Sequence, residues 1–139
     1  GTYGGNPVAC AAALAVLKTF KDGGLLDHAR SLGVIIERRM ANWLKRFPCV
    51  GDARGLGHMR AIELVRDRAT KEPWREAAGQ VAKYCWEHGV LVLTAGTYAN
   101  VIRLLPPLVI TREQVEEGLD VMEAGLKELE PRRNQGESA

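Results

Sequence analysis

The sequence predicts an α+β domain in which a small, mostly antiparallel sheet packs against helices. Three observations carry this. Residues 25–47, 74–85 and 115–129 repeat apolar side chains at spacings of three and four, the period of a helix with one buried side, and an alanine-rich stretch precedes them. The apolar runs 90–95 and 101–105, rich in Val, Ile and Leu, flank the polar turn GTYAN, which is the pattern of a hairpin. Residues 50–65, VGDARGLGHMRAIELV, read as strand interrupted at Gly55 and Gly57 by a bulge or tight turn. The element order is therefore α-α-β(β)-α-β-β-α, with no internal repeat or low-complexity tract.

Each element has its own local reasons. Asn6 is a good N-cap and Pro7 suits the first helical position, so a helix starts there and runs through VACAAALAVLKTF to Gly23-Gly24. A longer helix follows, striped by Leu25, Ala29, Leu32, Ile36, Met40, Trp43 and Phe47, with Arg30, Glu37, Arg38, Lys45 and Arg46 turned largely away. Pro48 closes it. Pro73 is expected to open the third helix, whose buried side is Trp74, Ala77, Ala78, Val81, Ala82 and Cys85, and Gly89 to end it in the left-handed conformation. Thr111 and Gln114 have the spacing of a capping box, with Ile110 and Val115 as a hydrophobic staple. Val115, Leu119, Met122, Leu126 and Leu129 stripe the last helix, Pro131 ends it, and the polar remainder 132–139 is expected to be a disordered tail.

The composition narrows the class. A chain of 139 residues, 46% hydrophobic and 26% charged, can bury a real core. A net charge of +2, with basic residues dispersed among acids, argues against a nucleic-acid partner. No apolar run approaches the length of a membrane span and no signal peptide is visible. Cys10, Cys49 and Cys85 lie in apolar surroundings at no metal-ligand spacing, so they read as reduced core thiols of a cytoplasmic protein, with no metal site. The chain starts on a glycine-rich motif without Met, which suggests a fragment.

Three places invite a functional reading. Arg103 interrupts an apolar strand, where an unpaired buried charge would be costly. Its partner is either an internal carboxylate, Glu63 being the leading candidate, or the carboxylate of a ligand held by two parallel hydrogen bonds. Strand chemistry alone favours Glu63. The glycines of GTYGGNP leave backbone N–H groups beside the positive end of a helix, which makes an anion site with the Thr2 hydroxyl as an added donor, although the same residues serve as a plain turn and cap. His58 has no second His or Cys nearby in sequence and reads as a surface or strand-edge side chain.

Taken together, GTYGGNPVACAAALAVL at 1–17, RGLGHMRAIELV at 54–65 and GTYANVIRLLPPLVIT at 96–111 resemble the class III pyridoxal-phosphate aminotransferases, most closely those acting on 4-aminobutyrate. The resemblance runs through nearly the whole chain but corresponds to the C-terminal third of such an enzyme. It implies a fold-type I homodimer with its active site at the subunit interface. Residues 1–24 would end the large domain's cofactor region, 25–48 would be a long connecting helix, and 49–131 would form the C-terminal small domain. Thr2 matches the threonine that reaches the cofactor phosphate of the neighbouring subunit. Arg103 matches the arginine that binds the substrate carboxylate, which turns the balance toward a ligand. Ala99 stands where many relatives have glycine, so the turn before the arginine strand is expected to differ.

The Schiff-base lysine of the family lies upstream of GTYGGNP. None of Lys18, Lys21, Lys45, Lys71, Lys83 and Lys127 matches its motif, and the aspartate that pairs with the pyridine nitrogen is also missing. The implied reaction is a ping-pong transfer of an amino group from an ω-amino acid such as 4-aminobutyrate to a 2-oxo acid, by likeness 2-oxoglutarate. Arg103 would hold first the carboxylate distant from the donor's amine and then the one beside the acceptor's oxo group. Alternatives are another ω-aminotransferase acting on ornithine, a diamine or a longer amino acid, a non-catalytic module that binds an acid, and a dimerisation piece.

Overall fold

The computed structural model describes residues 1–129. Helices α1 (Pro7–Asp22) and α2 (Leu25–Arg46) lead into the hairpin β1 (Val50–Leu56) and β2 (Met59–Leu64). Helix α3 (Arg75–Glu87), strands β3 (Leu93–Ala95) and β4 (Val101–Leu104), and helix α4 (Arg112–Lys127) complete the chain. The four strands are antiparallel throughout and lie in the order β1-β2-β4-β3. The α+β architecture expected from the sequence is the one observed.

The sheet's inner face carries Ile62, Leu64 and Ile102, all fully buried, each worth about 1.5–3 kcal/mol in apolar burial. Helices α2 and α3 lie against that face, and α4 packs on α2 and α3. The expected stripe of α2 enters the core from Ala29 through Phe47, while Leu25 is half-buried. Arg68 secures the end of α2 by donating to the carbonyls of Leu44 and Phe47, and it also donates to the Val50 carbonyl at the start of β1. Thr111 and Gln114 form the expected capping box at α4. Gly89 has φ +79, as its left-handed role requires.

The break expected at Gly55 and Gly57 is a tight turn: Leu56 pairs with Met59 around it, with Gly57 at φ +58. A separate register irregularity lies between Val50 and Asp52. Other expectations are corrected. Helix α3 starts at Arg75 rather than Pro73, because Pro73 bridges to Val65 and Trp74 N–H donates to the Leu64 carbonyl at 3.0 Å. The run 90–95 is strand only from Leu93, since β4 offers β3 just residues 101–103 to pair with. Cys49 and Cys85 are buried, but Cys10 is exposed, because α1 buries none of its residues. Burial raises the Cys85 thiol to about 11, which keeps it protonated at neutral pH. The expected helix stop at Pro131 and the tail 132–139 lie outside the described residues.

One buried carboxylate joins α2 to α4. Burial pushes the Glu123 pKa up, but hydrogen bonds from Trp43 Nε1 at 2.9 Å and Arg46 at 2.8 Å, with Lys127 at 3.3 Å, outweigh it and hold the group at about 2. A carboxyl pKa lowered from 4.5 to about 2 gives stability present above pH 4.5 and lost as pH falls toward 2. By linkage this is about 3 kcal/mol. Urea unfolding of Glu123→Gln is expected to show that loss at pH 7 and little difference from the parent chain near pH 2. Gly33 gives a second test, because a Cβ there would stand 2.6 Å from the Gly57 carbonyl carbon. Gly33→Ala gains about 1 kcal/mol of helix propensity but forces backbone apart at a cost of about 1–3 kcal/mol. A lowered melting temperature is the expected result.

Candidate functional site

Arg103 lies on β4 with its inward-facing neighbour Ile102 locked in the core, so period-two alternation turns the guanidinium to the outer face. It is exposed, which removes the burial penalty anticipated from its apolar neighbours. Opposite it stand Ala61 on β2 and Leu93 on β3. Among the described residues, no hydrogen bond or ion pair holds Arg103. Glu63 is not its partner: Arg54 Nη1 donates to Glu63 at 2.7 Å and to Asp52 at 2.6 Å. The register explains the choice, since Asp52 directly faces Glu63 and Arg54 stands one step along the same strand face, between two carboxylates.

The turn before β4 sets where Arg103 begins. Gly96 takes φ +84, Ala99 takes φ +51, and the Ala99 N–H donates to the Gly96 carbonyl at 3.0 Å. The turn thus keeps the left-handed residue that glycine would supply, contrary to the expectation that alanine would alter it. Asn100 secures this geometry. It is 2% exposed; its Nδ2 donates to the Leu64 carbonyl at 2.9 Å, and its own carbonyl accepts from Leu64 N–H at 2.8 Å. Sequence reading passed over Asn100, although a buried-strand entry marked by a side chain able to imitate backbone was the available signal.

Thr2 lies in the exposed turn 2–5 ahead of α1. That turn closes on itself through Gly4 N–H to the Gly1 carbonyl at 2.9 Å, and Asn6 Oδ1 accepts from Val8 and Ala9 N–H. The helix end is therefore largely capped by its own asparagine, and the Thr2 hydroxyl rather than free helix amides is what the segment offers an anion. α1 touches α2 only slightly, buries none of its residues and makes no substantial contact with the sheet, so the described residues do not bring Thr2 and Arg103 together. All six lysines are exposed. His58 is not a surface side chain: it is 7% exposed at the β1–β2 turn, its Nδ1 has no partner among the described residues, and burial followed by the nearby His28 lowers its pKa.

Known proteins place this arrangement in a family. The family model for class-III aminotransferases matches residues 1–126. A probable 4-aminobutyrate aminotransferase of Bacillus subtilis (strain 168) is 47% identical over 127 residues, covering 91% of this chain and 29% of the relative. A 5-aminovalerate aminotransferase of Pseudomonas putida is 40% identical over 129 residues, covering 93% and 30%. Among solved structures, an aminotransferase of Bacillus anthracis superposes with a TM-score of 0.84 at 32% identity, over 92% of this chain and 30% of that one. The chain belongs to the class III aminotransferases, and its α+β arrangement is part of a fold-type I domain. It spans under a third of the length of the curated relatives it matches.

The exposure of Arg103 has a direct chemical test. Phenylglyoxal should modify Arg103 well before Arg60, which is 11% exposed and held by Glu37 and the Gly57 carbonyl. Peptide mapping after brief treatment reads the order.

Proposed function

We propose that this chain is the C-terminal part of an enzyme that moves the amino group of an ω-amino acid, 4-aminobutyrate foremost, to 2-oxoglutarate with pyridoxal 5'-phosphate. The observation that carries the reading is Arg103, whose rigid guanidinium fork stands on an open sheet face while Glu63, the acid expected to pair with it, is taken by Arg54. The exposed Thr2 hydroxyl fits a phosphate oxygen as a neutral donor. The bound cofactor would supply the electron sink for amino transfer. Arg103 would hold one carboxylate of each substrate and so fix the distance from that end to the reacting carbon. Thr2 would anchor the phosphate and fix the cofactor's position.

The lysine that binds the cofactor covalently would lie upstream of residue 1, so the chain alone is inactive in this reading. The enzyme would be a cytoplasmic homodimer, with Thr2 serving the neighbouring subunit. Its first 24 residues would belong to the cofactor region, 25–48 would connect, and 49–131 would form the small domain. The exposed apolar side chains of α1, among them Val8, Leu14 and Leu17, agree with a segment covered by further protein. A second reading takes a donor one methylene longer, because a relative bears the name of a 5-aminovalerate enzyme.

Arg103→Leu in the full-length enzyme tests the main reading. Folding should be nearly unharmed, since no internal acid is left without its partner. Binding of both 4-aminobutyrate and 2-oxoglutarate should weaken by about 1.5–3 kcal/mol, the range for a hydrogen bond to a charged group. Arg103→Lys should restore only part, because a point charge does not reproduce the fork. Melting temperature and both Michaelis constants on the same proteins decide it, and lost stability with intact affinities would overturn the assignment.

A further inference from the structure

We propose that Arg54 is a positioning residue that keeps Arg103 available to a carboxylate ligand by occupying Glu63. This rests on the reading of Arg103 as the carboxylate anchor. The strand register places Glu63 at the centre of a symmetric arrangement on the outer face. Glu63 faces Asp52 on β1 and Val101 on β4, so Arg54 and Arg103 are its two diagonal neighbours, one on each side. Diagonal pairs in a sheet lie about 7–8 Å apart at the backbone, within reach of side chains as long as these. Between the two arginines stands only Ala61, a methyl group, directly opposite both. Nothing in the row blocks Glu63 from turning either way.

Glu63 turns to Arg54. One nitrogen of Arg54 serves Glu63 at 2.7 Å and Asp52 at 2.6 Å, and it offsets the repulsion of two carboxylates set face to face across adjacent strands. The three groups together carry one net negative charge, and Arg103 stands beside them. Arg60, the remaining cation on β2, is on the opposite face and is committed to Glu37 at 2.9 Å. Without Arg54, two opposed carboxylates would face Arg103 as the nearest cation on their side of the sheet. Glu63 would then compete with any carboxylate ligand for the same guanidinium. Arg54 therefore touches no ligand and acts through Glu63.

The test is a set of variants in the full-length enzyme, read by Michaelis constants for 4-aminobutyrate and 2-oxoglutarate. Arg54→Met should raise KM by about 2- to 5-fold, the factor that an exposed ion pair corresponds to, with kcat moving less. Adding Glu63→Gln should return KM to near the parent value, since the competing charge is gone. A merely structural role for Arg54 predicts no such rescue. Arg54→Gln, which still donates to the carboxylate, covers the case where the Met variant does not fold and should shift KM in the same direction. An unchanged KM in the Arg54 variants, or a raised KM that Glu63→Gln leaves raised, overturns the proposal while a raised KM in Arg103→Leu keeps the anchor reading intact. An unchanged KM in Arg103→Leu ends both.

Discussion

The pairing of Ile62 with Ile102 is the constraint on which the outer face depends. The two side chains stand opposite each other on β2 and β4 and are fully buried under the helices. A strand's side chains alternate strictly, so fixing these two inward fixes Ala61, Glu63 and Arg103 outward. A register slip of one residue would drive Arg103 into the core and lift Ile102 into water. That exchange costs the burial of an isoleucine and the desolvation of a guanidinium together, which no other pairing on this sheet could offset. The position of the candidate ligand group is thus set by apolar packing on the face it does not occupy.

Local signals revealed most of the framework. The Asn6–Pro7 start, the stripe of α2, the Gly89 stop and the capping box at Thr111 each depend on neighbours within about one helical turn, so the sequence displays them directly. The misreadings concern contacts between distant segments. Arg103 looked buried because Ile102 and Leu104 flank it. Val101 shares its face, yet the turn at Gly96 folds over Val101, while Arg103 lies two residues beyond that cover. His58 read as a surface or strand-edge side chain; here Gly33 of α2 lets the Gly57 backbone come close, and His58 is buried beside it. Cys10 looked buried because alanine-rich helices admit close neighbours, but no other described segment covers α1.

Ala99 illustrates how a local preference is overridden. An alanine at φ +51 carries a penalty of about 1–2 kcal/mol that glycine would avoid. The next residue supplies the compensation. Asn100 ties to Leu64 through both its backbone carbonyl and its side-chain amide, and a hydrogen bond of this kind contributes about 0.5–1.5 kcal/mol. Two such bonds balance the strained turn. They also attach the start of β4 to the end of β2, so the turn's conformation and the placement of Arg103 are held by the same contacts.

Stability and candidate function therefore occupy different surfaces. The inner sheet face, the α2 stripe, α3 and α4 close a core that uses neither Thr2 nor Arg103. The outer face instead combines half-exposed Leu93 and Met59 with a charged group that no described residue neutralises. Covering that face would bury apolar area favourably but would also take Arg103 out of water. Desolvating a lone guanidinium is unfavourable unless an anion arrives with the cover. Glu63 cannot fill that role while Arg54 holds it at 2.7 Å. Apolar covering of the sheet and binding of a carboxylate at Arg103 are thereby coupled: each makes the other more favourable, and a dry closure without an acid is the state this surface disfavours.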